Sequence, residues 1–428
     1  MSRAGPLVLT AALLAACKSD SAFDPGQVDT TGTGGGGGVT KASLAVTVKV
    51  DPADATVRDA LGWTSGLPNA QVTVQRSGSA ASTQTATTDA SGVARFSGLL
   101  PGTYTISSER VLTAAERALL ASPDADVNAF GGGATLDVAA PSASITIAAP
   151  AGRPGSLVIS ELFVGRPNGG HAGEYPLASY IELYNNSDTT IYLDGKIVGR
   201  GQVWVRDYPS PLSCAEMAQW RVDPQGIWAR FFYQFPGTGQ TYPLAPGHAT
   251  VVATDAIDER QFFPELMDLS GAQFEFIGPS DVDNPASVNM LNVGLGEWAS
   301  TAFGHGLYWS GDDVTAFVAS PVDVASLPHA QLPVQDPAYV RIPGDKLLDV
   351  LTSDLTPERD ATLQYHSCGQ EVNTAFDRQQ AMLTDYATDV SIQRRVLFLT
   401  STGRTVLLRT RTSARDFART AWTPGTIP

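Results

Sequence analysis

The chain has 428 residues, 43% apolar and 17% charged, with 41 glycines, 28 prolines and a formal net charge of −15. That length bounds the fold at roughly two to three domains, and a charged share below ~25% with abundant Gly and Pro favours turn-rich β architecture over helical bundles. The acidic excess repels phosphate backbones, so no nucleic-acid partner is expected.

The first twenty residues, MSRAGPLVLTAALLAACKSD, carry one basic residue, Arg3, and an apolar run from Leu7 to Ala16. Such a run is too short for a permanent membrane helix, which needs ~20 residues, and has the length of a signal-peptide core. It ends in Leu14-Ala15-Ala16-Cys17, which resembles the lipobox of bacterial lipoproteins. That resemblance implies cleavage of residues 1–16, acylation of Cys17 and anchorage of the mature chain in a membrane. Lys18 after the cysteine is, by resemblance to diderm sorting rules, compatible with the outer membrane of a diderm cell envelope. Residues 17–40 include TTGTGGGGGVT, a tract with no apolar face to bury, and are expected to be a flexible tether.

Residues 41–149 read as a first β-sandwich. SLAVTVKV alternates, with Leu44, Val46, Val48 and Val50 on one face; AQVTVQR, VARF and GTYTIS follow between Gly, Pro and Asp turns. Asp89 and Gly92 form a tight turn, and Phe96, Leu99, Tyr104 and Ile106 point inward. Thr113 and Glu116 form a capping box for a short helix over Thr113–Ser122, Gly131–Gly133 is expected to break the chain, and a last strand lies near Ala143–Ala148. The TTDASGVARFSGLLPGTYTI pattern resembles the carboxypeptidase-regulatory-like, or transthyretin-like, sandwich, which implies a structural rather than a catalytic module.

After a short linker, Pro150–Gly155, residues 155–428 read as a second, larger sandwich. SLVISELFV is a buried strand around Glu161. In YIELYNNSDTTIYLDG, Ile181 and Leu183 face inward while Tyr180, Glu182 and Tyr184 face outward, and the polar middle turns the chain into a second strand to make a hairpin at the sandwich edge. With YPLAPGHATVVATDA and TSARDFARTAWTPG, these residues resemble the lamin-tail-domain group of immunoglobulin-like sandwiches. With SGAQFEFIGPSDVDNPASVNM they are similar to a family of bacterial envelope lipoproteins. The fold class expected is therefore all-β, two antiparallel sandwiches with few short helices. Gln202–Gln240 and Leu291–Gln370 match no part of the pattern and are expected as insertions. The resemblance implies a structural role for Glu182, a charge-assisted hydrogen bond to a backbone N–H or to a C-terminal arginine; the alternative is a ligand or metal contact.

Chemistry-bearing motifs are sparse. From Ser391 onward, Arg394, Arg395, Arg404, Arg409, Arg411, Arg415 and Arg419 face one acid, Asp416, and are expected to pair with acidic residues elsewhere in the fold. Of three cysteines, Cys214 and Cys368 remain beside Cys17 and are the disulfide candidates of an exported protein. None of the five histidines stands in a close metal pair, and His366-Ser367-Cys368 is a weak thiol dyad. No cofactor is expected, except that Asp281, Asp283 and Asn284 offer oxygen donors at a spacing that suits Ca²⁺, a polar turn being the competing reading. Trp204, Trp228, Phe231 and Tyr233, with Trp220 and Trp309, are either core or an aromatic platform for a glycan or protein partner. The function expected is a non-enzymatic, lipid-anchored scaffold or accessory binding protein beside an outer-membrane protein. Glycan or nutrient capture is the alternative, and a hydrolase ranks last.

Overall fold

Alternating apolar residues at Leu44, Val46, Val48 and Val50 leave one face of the first strand dry, and a dry face must be covered. The computed structural model places that strand in a sandwich. It describes residues 40–77, 83–122, 124–139, 141–164, 178–201, 205–206, 214–261, 264, 266–278, 283–294, 307, 309, 314–331, 338–355, 366–367, 370–383, 390–400 and 402–427. The strands of the first half are β1 (Ala42–Val50), β2 (Gln71–Arg76), β3 (Thr83–Thr87), β4 (Val93–Leu99), β5 (Gly102–Val111), β6 (Ala129–Val138), β7 (Ser142–Ala149) and β8 (Ala151–Gly152). They form two sheets, β4-β1-β7 and β3-β2-β5-β6-β8. Val46, Val48, Val72, Val74, Phe96, Tyr104, Ile106, Phe130 and Ile147 fill the space between them. All pairs are antiparallel except β1 with β7, which is parallel over its whole length.

The local signals hold here. Gly92 has φ of 77° and Asp89 accepts the Ser91 N–H at 2.8 Å, the expected tight turn. Thr113 and Glu116 form the reciprocal capping box. Two expectations are overturned. Gly131–Gly133 does not break the chain but lies inside β6, opposite Glu109, Ser108 and Ser107 of β5. The reason is close approach: a Cβ on Gly131 would sit 2.4 Å from Phe398 Cδ1. The expected linker is also built in, since Ala151–Gly152 pairs with β6 and Arg153 is buried.

In the second half the strands are β9 (Leu157–Phe163), β10 (Tyr180–Asn185), β11 (Ile191–Tyr192), β12 (Ile197–Gly201), β13 (Val205–Arg206), β14 (Gly226–Gln234), β15 (Pro243–Leu244) and β16 (Ala249–Ala253). Next come β17 (Phe274–Glu275), β18 (Val288–Asn289), β19 (Leu291–Asn292), β20 (Val314–Ala319), β21 (His329–Gln331), β22 (Ala338–Pro343) and β23 (Leu347–Leu355). The last are β24 (His366–Ser367), β25 (Ala381–Leu383), β26 (Val390–Arg394), β27 (Val396–Leu399), β28 (Thr405–Leu407) and β29 (Phe417–Ala421). One sheet runs β18-β17-β16-β10-β9-β26-β29 and the other β21-β22-β14-β12-β20-β23-β25. Ile159, Leu162, Ile181, Leu183 and Val252 of the first meet Val198, Tyr233, Ala316, Val318 and Leu351 of the second. The expected insertions are therefore corrected: β14, β20, β22 and β23 are sheet strands, not decoration. Strands buried on both faces lose the alternation that marks a strand in sequence.

The stretch 180–195 is also not an edge hairpin. β10 is central, between β9 and β16, while β11 pairs with β15 instead. Asn185 and Asn186 redirect the chain. Asn185 Nδ2 donates to the Thr189 and Leu244 carbonyls, each at 2.8 Å; Asn186 Nδ2 donates to Pro154 O at 2.6 Å and its Oδ1 accepts the Leu407 N–H at 2.8 Å. Asp194 then accepts the N–H groups of Gly239, Thr241 and Tyr242 at 2.9, 2.8 and 2.9 Å. Burial pushes its carboxyl up, but these donors prevail and hold it well below the usual carboxylate range.

Lys41–Pro428 is one compact unit. Its two sandwiches are joined in two ways. The β27–β28 hairpin sets Leu397, Phe398, Val406 and Leu408 against Ala129 of β6. Beside it, acids of the first sandwich meet arginines of the second. Arg415 grips Asp54 with both terminal nitrogens, at 2.9 and 2.7 Å, and Arg411 reaches Asp126 at 2.6 Å, while Arg153, just after β8, reaches Asp124 at 2.7 Å and Asp126 at 2.6 Å. Pairing of the C-terminal arginines with acids elsewhere is thus seen; Asp54 and Asp126 lie outside strands, while Asp349, which pairs with Arg394 and Arg409, lies in β23.

Candidate functional site

The strongest concentration of polar chemistry among the described residues lies on the outer face of the larger sandwich's first sheet. Glu161 of β9 and Glu182 of β10 stand opposite each other in register. A bulge between Glu182 and Leu183 leaves Ser160 as the extra residue. It lets Ile159 and Leu162 both reach the inner core while Glu161 turns outward. The outward direction of Glu182 is as expected, but its exposure is not: both glutamates are 1% exposed. The physical reason is that this face is covered too. Phe163, Tyr180, Val251, Leu266, Met267 and Leu269 pack over one end, and Val158, Tyr184 and Leu407 over the other.

Between those clusters runs the segment Trp422–Ile427. Trp422 packs on the first cluster and Ile427 on the second. In between, the Thr423 N–H donates to Glu161 Oε1 at 3.0 Å and the Gly425 N–H donates to Glu182 Oε2 at 2.7 Å. Ser160 Oγ donates to Glu182 Oε1 at 2.7 Å, and Ser391 Oγ donates to Glu161. Of the two partners expected for Glu182, the structure supplies the backbone N–H. Burial pushes the Glu182 carboxyl up to about 7; the Ser160 and Gly425 donors pull against it and the Glu161 charge adds to it. The same burial, with both carboxylates beside it, raises Tyr180.

A second buried polar centre holds the sheets together. Arg394, with a side chain 0% exposed, donates to Ile159 O at 2.6 Å and Leu408 O at 2.9 Å, pairs with Asp349 and with Asp416 at 3.4 Å, and lies 4.2 Å from the Phe417 ring centroid. Nothing in its sequence surroundings distinguishes it from the neighbouring arginines.

The expected site residues are scattered. Cys17, Cys368, Asp281 and Trp204 lie outside the described residues. Cys214 is disulfide-bonded, and β13 pairs with β24 so that Arg206 is opposite His366. Asn284 closes a turn: its Oδ1 accepts the Ala286 N–H at 3.0 Å and its Nδ2 donates to Ala256 O at 2.7 Å. Asp283 accepts from Asn289 Nδ2 at 2.7 Å. No cluster of three or more His, Cys, Asp or Glu side chains suited to a metal occurs among the described residues. The aromatics are core rather than platform. Trp228 is 8% exposed, with its Nε1 donating to Asp223 at 3.0 Å; Tyr233 is 5% exposed against Phe276; Phe231 is half-buried against the main core; and Trp309 is fully buried.

With this geometry in hand, the relatives can be placed. Residues 54–149 match the carboxypeptidase regulatory-like domain family. That match covers β2 to β7, as the alternation and turns of the first sandwich imply. Over the longer span, the chain is similar to a DUF4876 family protein of Bacteroides thetaiotaomicron, with a TM-score of 0.51 and 16% identity over 91% of this chain and 96% of that one. The likeness shows a shared fold. A candidate carbohydrate-binding protein of Bacteroides uniformis aligns at TM-score 0.16 and 9% identity, covering 73% of this chain and 97% of that one. A candidate adhesin of Bacteroides ovatus aligns at 0.17 and 8%, covering 73% and 82%. Both scores are too low to carry an argument. No match was found among curated proteins. Among the described residues no helix is long and apolar enough to cross a membrane.

Proposed function

We propose that this is a lipid-anchored cell-envelope protein whose two sandwiches act as one rigid scaffold or accessory binding unit beside an outer-membrane protein. The observation that carries this reading is the seam between the sandwiches. The hairpin seated on β6 and the Asp54–Arg415 and Asp126–Arg411 pairs make a single body of residues 41–428. A rigid body on a Gly-rich spacer suits presentation of a surface to a partner. The buried Glu161 and Glu182 bond within the fold, which supports a non-enzymatic role. Burial of Trp228 and Tyr233 weakens the glycan-capture alternative.

Cross-linking in intact cells followed by affinity recovery of the protein tests the partner. A specific outer-membrane protein recovered beside it is expected, and recovery of this chain alone argues against the accessory role. The anchor is tested separately. Cys17→Ser is expected to move the protein from the membrane fraction to the soluble fraction, and full membrane retention would overturn the anchor. We also propose Cys368 as the partner of Cys214; two free thiols in the denatured, unreduced mature protein would exclude it.

A further inference from the structure

The acid pair is an unusual way to fix the end of a chain. Buried carboxylates are ordinarily matched by a cation. Here the facing groups are Glu161 and Ser160 on β9, Tyr180 on β10, Val251 on β16, Ser391 and Gln393 on β26, and Thr423 and Gly425 on the terminal segment. None of them is basic. Gln393 turns its amide to Ala421 O and Thr423 Oγ1 instead, at 3.1 and 2.6 Å. Two adjacent glutamates are thus held out of water by hydroxyls and by the backbone N–H groups of one short strap.

We propose that Trp422–Ile427 is a proton-controlled strap, closed over Glu161 and Glu182 while Glu182 retains its proton and released when that carboxyl ionises. The strap is suited to local opening. It belongs to no strand, its Thr426 and Gly425 are exposed, and it is fastened by Trp422, Ile427 and the two glutamate caps. Opening admits water to the pair and returns the Glu182 carboxyl to its ordinary range. The closed form holds Glu182 protonated up to about pH 7 because burial disfavours its charge. Opening in the interval between the ordinary Glu range and that value therefore releases a proton. It becomes easier as pH rises through the interval, and its dependence on pH ends above it.

Hydrogen exchange of the full-length protein between pH 5 and 8, corrected for the intrinsic rate, reads this directly. Protection of the Thr423 and Gly425 amides is expected to fall about tenfold per pH unit up to about pH 7 and then level off, as one-proton linkage requires. Peptides from β1 should keep their protection throughout. Constant strap protection across the range, or an equal loss in β1, overturns the proposal. In Glu182→Gln the slope should vanish, and a retained slope also overturns it. If that variant does not fold, Ser160→Ala serves. It removes a donor to the ionised form and should move the plateau to higher pH, whereas an unmoved plateau counts against the strap.

Discussion

Arg394→Leu is expected to cost the protein about 3–5 kcal/mol of stability, the range for breaking a buried ion pair by removing one partner. The arginine sits between Asp349 and Asp416, and its loss takes one cation from Asp349 and leaves Asp416 without its paired charge. Asp349 keeps Arg409, at 3.0 Å, and the Ile159 N–H, at 2.8 Å. Asp416 keeps the Thr410 N–H and hydroxyl, with burial already raising its carboxyl. Ile159 O and Leu408 O lose their donors as well. In a chain of this size the drop corresponds to a fall in Tm of about 4–6 °C. Arg394→Lys should recover little, because a single ammonium cannot reach four acceptors spread around a planar fork. Adding Asp416→Asn to Arg394→Leu should restore part of the loss, as a coupled pair requires. Thermal melts of the three variants check this, and a Tm within about 1 °C of wild type, about 1 kcal/mol, for Arg394→Leu would show the centre to be dispensable.

Gly131→Val is expected to separate the two sandwiches while leaving each core intact. Valine is a good strand residue, so the backbone of β6 accepts it. Its side chain would enter space held by Phe398 Cδ1, at 2.4 Å from the first added carbon, and by Leu397 O, at 3.0 Å. Overpacking of this kind costs about 1–3 kcal/mol, and the hairpin is the part able to yield. Faster hydrogen exchange and proteolysis in β27–β28, with β1 unchanged, is the expected reading. Phe398→Ala in the same chain should reverse much of the effect by opening the space. If the hairpin stays protected in Gly131→Val, the glycine seat is not what joins the sandwiches.

The first sandwich is the more legible half because one face of each strand meets water. Leu44 to Val50 alternate, Asp89 and Gly92 mark their turn, and Thr113 and Glu116 mark their helix, all from spacing alone. Gly131–Gly133 misleads for a tertiary reason. A glycine run reads as a break unless another backbone is known to lie on it, and that backbone is more than 260 residues further on. The larger sandwich hides its strands by burying them twice. GIWARFFYQF shows no period, although Ile227 and Ala229 face one cluster and Tyr233 another. Asn185 and Asn186 carry the composition of a turn, but they brace three separate segments. A backbone N–H partner for Glu182 is legible only as one of the two options that the resemblance of IEL implies, and nothing in the sequence names Gly425 as that partner. No local signal places Thr423 beside Glu161.

The separations along the chain have a consequence for synthesis. Glu161 and Glu182 take donors 262 and 243 residues downstream, and Arg394 joins Ile159 across 235. Until residues 423–425 emerge, β9 and β10 have two acids on a face that is otherwise ready to bury itself. The larger sandwich therefore closes late and all at once, with the slow, long-range assembly of high contact order. The outer sheet face of the larger sandwich is covered only once residues 422–427 lie across Glu161 and Glu182.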